Sequence, residues 1–484
     1  SRLKDNRWGF FPGVSVGWNI MEEDFWKESK VSDIVSNLKP RLSYGVNGNV
    51  NGIGNYEVYG EYAQVDAKTY GGATALYNKK LLNTNLRWEQ SQTFEVGLDI
   101  GFLQNRFSFI LDFYSRRTKD LLTKQALPGY TGFSDIVTNM GTLRNSGFEA
   151  EVKANIINKG GFTWDMTANI TSVANKIISL PYNNVENNRV GGYEVAAGKV
   201  DADGKFPTKW IAGRQEGGKL GELVGYRQQH VFKDWDDVKQ HANLRVDEVA
   251  NLYGPGLADQ INPATGKTYK ESSGWQPIEP GDACWEDING DNIINGYDRS
   301  VMGNIFPNVT GGFSTTFGYK GLSLYARFDY ALGHTLYNDL KARSLGQYQG
   351  QFNIITDVKD MWSEANPNSD LTKFYYADQL AKKNITRSNN ASTAADNNSS
   401  RYYEKGDYLA LREITLSYQL PKSLISKAHL TEASVYVTGQ NLFYITGYDG
   451  VSPEPAVSTT YGRGIDNGRY PTPRTFLFGL SLTF

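Results

Sequence analysis

The chain holds 484 residues, more than one ordinary soluble core accommodates, and its net charge of −2 gives no bulk electrostatic attraction to nucleic acid. Its single cysteine, Cys284, excludes an intramolecular disulfide framework and a cysteine-based metal site. No stretch approaches the ~18 consecutive apolar residues of a transmembrane helix; membrane-crossing strands stay open, because they are half polar. Aromatics at 13% and 50 glycines suit either an aromatic-girdled barrel or a large carbohydrate-binding β protein.

Ser1 opens the chain with no charged n-region or apolar h-region, so any export signal is expected upstream, and the opening reads as a cut within a larger protein. Period-two patterning then begins almost at once. Val14, Val16, Trp18 and Ile20 alternate with Ser15, Gly17 and Asn19. Leu42, Tyr44 and Val46 alternate with Arg41, Ser43 and Gly45, and Phe94 to Phe102 alternate with Glu95, Gly97 and Asp99. Phe107, Phe109, Leu111 and Phe113 oppose Ser108, Asp112 and Tyr114. The two clearest segments follow: Phe148, Ala150, Val152, Ala154 and Ile156 against Glu149, Glu151, Lys153 and Asn155, then Phe162 to Ile170 against Thr163, Asp165, Thr167 and Asn169. The pattern resumes around Phe313, Leu322, Ile414 and Val435. It ends with Phe476, Phe478, Leu480, Leu482 and Phe484 on one face and Thr475, Gly479, Ser481 and Thr483 on the other, with Leu477 as the exception. Side chains alternate across a strand, so each segment has one apolar and one polar face. Eleven such segments are expected, several about 9–11 residues long, which is the length that crosses a bilayer at barrel tilt.

The connections are lopsided. Leu103-Gln104-Asn105, Asn158-Lys159-Gly160-Gly161 and Tyr319-Lys320-Gly321 read as tight hairpin turns, whereas the links at about 172–308 and 333–407 are very long. Short turns on one side and long loops on the other are the asymmetry of outer-membrane barrels. The apolar face could instead meet a second sheet in a soluble sandwich. Its continuity through strand after strand, opposite Glu95, Asp99, Asp112, Glu149, Glu151, Lys153, Asp165, Arg327 and Asp329, favours lipid outside and a wet lumen inside. Trp8, Trp18, Trp164, Tyr319, Tyr330 and Tyr418 then read as interfacial girdle residues.

Several stretches resemble the SusC/RagA type of TonB-dependent transporter. They are Asn6 to Trp18, Leu38 to Asn49, Asn145-Ser146-Gly147-Phe148-Glu149, the acidic loop from Asp287 through Asp298-Arg299 to Gly303-Asn304, and Tyr470-Pro471-Thr472-Pro473-Arg474-Thr475-Phe476. They are spread over the whole chain. The resemblance implies an all-β fold: an antiparallel transmembrane β-barrel of 22 strands in the outer membrane, of which residues 1–484 would be the C-terminal part, about half. The plug domain and TonB box are expected outside these residues. It also implies a SusD-like surface lipoprotein and a TonB complex as partners, glycan or peptide as cargo, and no catalysis. Two rival readings are a passive porin or adhesin barrel, which an upstream TonB box would exclude, and a soluble β-rich glycan-degrading enzyme, which would extract without detergent.

Asp287, Asn289, Asp291, Ile293 through its carbonyl, Asn295 and Asp298 fall at positions 1, 3, 5, 7, 9 and 12 of an EF-hand-like calcium loop. Asn292 stands where glycine is usual, and Asn tolerates the left-handed conformation. Calcium there would rigidify an outer loop; the alternative is a metal-free Asp/Asn-rich turn. Gly13-Val14-Ser15-Val16-Gly17 fits a nucleophile elbow only in letters, because the alternation runs straight through Ser15. Gly266-Lys267-Thr268 lacks the upstream glycine of a phosphate loop, Ile261 standing there instead. The four histidines, His230, His241, His334 and His429, are too scattered to suggest a metal cluster. Trp210, Tyr226, Trp235, Tyr253, Trp275, Trp285 and Tyr348 are the loop aromatics expected to stack on cargo, unless they pack the loops together or meet the lipoprotein.

Overall fold

The computed structural model describes the chain except residues 1–2, 4–5, 55–61, 71–72, 79, 248–251, 273–274, 348–354, 375–398, 455–456, 459–461 and 469. The alternating segments form one eleven-stranded antiparallel sheet in which every strand pairs with its sequence neighbours in the sheet. Its strands are β1 (Gly13–Gly17), β2 (Val35–Asn49), β3 (Glu89–Phe102), β4 (Phe107–Lys119), β5 (Thr142–Lys159) and β6 (Phe162–Ser179). They continue as β7 (Val309–Tyr319), β8 (Leu322–Leu332), β9 (Tyr408–Gln419), β10 (Glu432–Thr446) and β11 (Thr475–Thr483). All eleven expected strands are present. Ser15 sits inside β1 opposite Ser43, a plain strand position.

The turns at one end are as tight as their residues predict. Gly160 and Gly161 have φ of 66° and 82°, and Lys320 and Gly321 have 47° and 87°. Two successive left-handed residues match the twist of the flanking strands, which is why Lys-Gly and Gly-Gly serve there. The register keeps the two faces distinct across the sheet. Phe107, Ala154 and Met166 stand in one row, as do Phe113, Phe148 and Ser172 two rows up from the next, all on the apolar side. The rings of Phe113 and Phe148 lie 4.7 Å apart. Asp112, Glu149 and Thr171 share the opposite face. On β11, Phe478 and Leu480 are 82% and 61% exposed, and Leu477 turns to the polar face opposite Thr438.

Two glycines let aromatic rings lie flat along the polar face. A Cβ on Gly147 would meet Tyr114 Oη at 2.6 Å and the Ser172 carbonyl oxygen at 2.7 Å; one on Gly479 would meet Tyr436 Cζ at 2.0 Å. Gly147→Val should therefore cost about 1–3 kcal/mol through overpacking. The check is the urea midpoint of the folded, heat-modifiable form; an unchanged midpoint would show that Tyr114 is free to move away.

The long links differ from expectation in two ways. Strand β6 runs on to Ser179, so the first link is 180–308, shorter at its start than the alternation indicated. Neither link is structureless. The first carries its own apolar core of Tyr226, Phe232, Val238, Leu244, Val246, Leu252, Ile278, Ala283, Cys284, Trp285 and Ile294. The second, between β8 and β9, contributes Tyr337, Ala342, Leu345, Met361 and Tyr402 to a separate core completed by Ile465.

Candidate functional site

The first insertion is stitched from short strand pairs. Tyr193–Ala196 pairs with Thr208–Ile211, Glu222–Tyr226 with Arg299–Asn304, and Gln228–Val231 with Ala283–Trp285. The second insertion is tied to it directly. Tyr403 Oη donates to the Val224 carbonyl at 2.7 Å, Trp362 Nε1 to the Lys233 carbonyl at 3.1 Å, and Gln228 N to Ser400 Oγ at 3.0 Å. Lys373 Nζ pairs with Glu279 at 2.7 Å. The two insertions thus form one body at the long-connection end of the sheet.

The seven candidate aromatics have different fates. Tyr226 and Trp285 are 1% and 2% exposed, with ring centroids 6.3 Å apart in the insertion core; both pack the loops together and offer no face to a bound molecule, which corrects the expectation for these two. Burying a large ring releases more free energy than leaving it at the surface, and sequence alone gives no sign of which ring is chosen. Tyr253 and Trp275 stack on each other at 5.2 Å and 12°, with Tyr269 alongside at 5.5 Å. Trp210 carries the Arg189 guanidinium 3.6 Å from its ring centroid, a cation–π contact that occupies one face. Trp235 is 53% exposed, on the first turn of the helix Trp235–Gln240, whose N-cap Asp234 accepts from Asp237 N at 2.9 Å. Tyr348 lies outside the described residues.

The acidic loop is held by its own backbone. Asp287 accepts from Gly290 N at 2.7 Å and Asn292 N at 2.8 Å, and Asp291 accepts from Ile293 N at 2.7 Å. Asp298 accepts from Ile288 N at 2.8 Å and Asn295 N at 2.9 Å, closing a capping box with Asn295, whose side chain accepts from Tyr297 N at 2.8 Å. Asn289 Nδ2 donates to Asp291 at 2.9 Å. Asn292 is left-handed at φ 62°, as its place in the loop requires. Burial pushes the Asp298 carboxyl up to about 6, against the two amides that favour its charge, and Asp287 and Asp291 raise it further. Every candidate donor is oxygen, which suits calcium. Among the described residues, however, no three His, Cys, Asp or Glu side chains are gathered as a metal cage.

The polar face joins residues that the alternation placed there and adds Arg412, Glu454 and Tyr444, which it did not single out. Arg41 Nη2 reaches Asp99 at 2.9 Å and Asp112 at 2.8 Å, joining β2, β3 and β4. Arg412 lies beside Asp329 at 2.9 Å, with Glu454 and Tyr444 as further partners. It sits at the register shift where β9 slips against both neighbours. A cavity of about 410 Å³ opens here, lined by Thr167, Asn169, Gly312, Ser314, Arg327 and Asp329 with Arg412. A second, of about 420 Å³, lies in the insertion body among Lys209, Ile211, Arg227, Glu286 and Arg299.

Residues 1–255 match the family model described as "TonB dependent receptor-like, beta-barrel". The TonB-dependent receptor SusC of Bacteroides thetaiotaomicron is 30% identical over 99% of this chain and 40% of its own length. The TonB-dependent receptor P3 of Formosa agariphila is 28% identical over 99% of this chain and 42% of its own length. The chain thus spans about two fifths of the curated relatives it matches. Among solved structures, the RagAB peptide transporter superposes over 100% of this chain and 44% of its own, with TM-score 0.70 and 21% identity, a likeness of fold.

Proposed function

Since this chain belongs to the TonB-dependent receptor-like β-barrel family and is part of an outer-membrane protein, we propose that it supplies the wall and outer loops of a TonB-dependent importer of oligosaccharides or oligopeptides. The observation that carries this reading is the folded body that both insertions form at the long-connection end of the sheet, with a cavity of about 420 Å³ within it and another of about 410 Å³ on the polar face of the sheet. A sealed adhesin has no need of a polar lumen face. In this reading a SusD-like lipoprotein covers the long-loop side, cargo settles between the two proteins, and a TonB complex supplies the energy through a plug carried elsewhere in the protein. Glycan is the first cargo class to test and peptide the second. Cells given pooled labelled oligosaccharides or pooled labelled oligopeptides should accumulate one pool, and removal of TonB should abolish that accumulation. Uptake that persists without TonB would mean a passive pore.

The acidic loop is the proposed calcium site, with Asp287, Asn289, Asp291, the Ile293 carbonyl, Asn295 and Asp298 as donors. Bound calcium would supply positive charge to three carboxylates that form no ion pair with the described residues, Lys199 Nζ donating instead to the Asp287 carbonyl at 3.2 Å, and would stiffen the loop. Titration calorimetry in millimolar calcium should show binding that the combined Asp287→Ala, Asp291→Ala and Asp298→Ala variant loses. Absence of any heat in the unmutated protein would leave the loop as a metal-free turn.

A further inference from the structure

Three cations stand in one cross-strand row on the apolar side of the sheet. Arg117 of β4 pairs with Arg144 of β5, and Arg144 pairs with Lys176 of β6. Their parity is that of Phe113, Phe148 and Met166, so they project toward the membrane side and not into the lumen. All three are exposed, and none forms an ion pair with a described residue. Like charges directly opposite one another destabilise a sheet. A row of three therefore calls for an anion that the chain itself does not provide.

The height of the row identifies that anion. The row holding Phe107, Ala154 and Met166 lies near the tight-turn end, and the cation row lies ten residues along, toward the insertions. Ten residues at about 3.4 Å each and a tilt of ~40° climb about 26 Å, against an apolar band of about 25 Å in such barrels. Between the two rows β4 presents Phe109, Leu111 and Phe113, then Ser115, its first polar outward residue, while on β6 Ser172 already stands in the row of Phe113. Arg117, Arg144 and Lys176 thus fall just past the outer edge of the hydrocarbon. Short turns face the periplasm in these barrels, which puts this edge in the outer leaflet. Three strands at about 4.8 Å spacing spread the charges over roughly 10 Å, the scale of a lipid headgroup. Arginine forks suit phosphate oxygens, and lysine adds a point charge.

We propose that Arg117, Arg144 and Lys176 bind the phosphorylated headgroup of outer-leaflet lipopolysaccharide, fixing one lipid against β4–β6 below the first insertion. Soluble phosphorylated cargo would meet the polar face and the insertion cavities instead.

The test uses the intact protein, purified in detergent, with diphosphoryl lipid A and its dephosphorylated counterpart as probes in native mass spectrometry. The unmutated protein should retain diphosphoryl lipid A. Arg117→Gln, Arg144→Gln and Lys176→Gln combined should weaken that binding at least tenfold, and Arg116→Gln with Lys153→Gln, both on the polar face, should not. The dephosphorylated lipid should bind the unmutated protein no better than diphosphoryl lipid A binds the triple variant. Equal retention of both lipids by the unmutated protein would overturn the proposal. So would full retention by a triple variant whose heat-modifiable migration shows it folded.

Discussion

Arginine at Leu111 should destabilise the folded barrel by about 2–4 kcal/mol, whereas arginine one residue earlier, at Ile110, should leave it nearly unchanged. Leu111 lies midway along the apolar side, between Leu98 and Ala150. A guanidinium there must be carried into hydrocarbon at the depth where lipid-facing charges cost most. Ile110 has the opposite parity and stands between Asp99 and Glu151, so the same guanidinium would enter a wet lumen beside two carboxylates. Urea titration of both variants in lipid vesicles, followed by loss of the heat-modifiable form, separates the cases. Equal destabilisation by both would mean that neither face meets lipid.

The second large effect is expected at Trp285. Its ring is 2% exposed and packs with Tyr226 among the apolar side chains of the first insertion. Replacing a buried tryptophan by alanine costs about 3–5 kcal/mol, because both the transfer energy and the cavity left behind count. The core it belongs to has eleven members among the described residues, so that loss is a large share of what holds the insertion. Trp285→Ala should speed amide hydrogen exchange across 180–308 while β3 to β6 stay protected, and it should abolish cargo uptake. Trp235→Ala, at a surface position on a short helix, should leave exchange unchanged. Fast exchange throughout the sheet in Trp285→Ala would show that the insertion is not an independent unit.

These two residues show what the sequence could reveal and what it could not. Strand parity is local: Phe107 to Phe113 and Phe148 to Ile156 display their faces within a few residues, so all eleven strands were legible. The end of β6 was not. Past Ile170 the outward positions are Ser172, in the row of Phe113 and Phe148, then Ala174 and Lys176, where the strand leaves the hydrocarbon and needs no apolar side chain, yet its backbone continues to pair with β5 as far as Ser179. The short pairs of the insertions were hidden because two to five residues display no period, and their partners lie far away in sequence. Trp235 and Trp285 are each followed by two acidic residues, and the contrast between Lys233-Asp234 before one and Ala283-Cys284 before the other is too short to assign a core; long-range packing puts one at the surface and the other inside. The acidic loop was legible as a spacing of oxygens, and Asn292 adopts the left-handed turn its position demanded.

The most direct measurement is nitroxide labelling of single cysteines placed in turn from Phe148 to Ile156 of β5 in lipid vesicles. Cys284 can stay in place, since it is buried and burial pushes its thiol up to about 12, away from reactive thiolate. Oxygen dissolved in lipid should relax labels at 148, 150, 152 and 154, and a water-soluble nickel chelate those at 149, 151 and 153, with a period of two. Uniform access by the chelate to both sets would contradict a membrane wall.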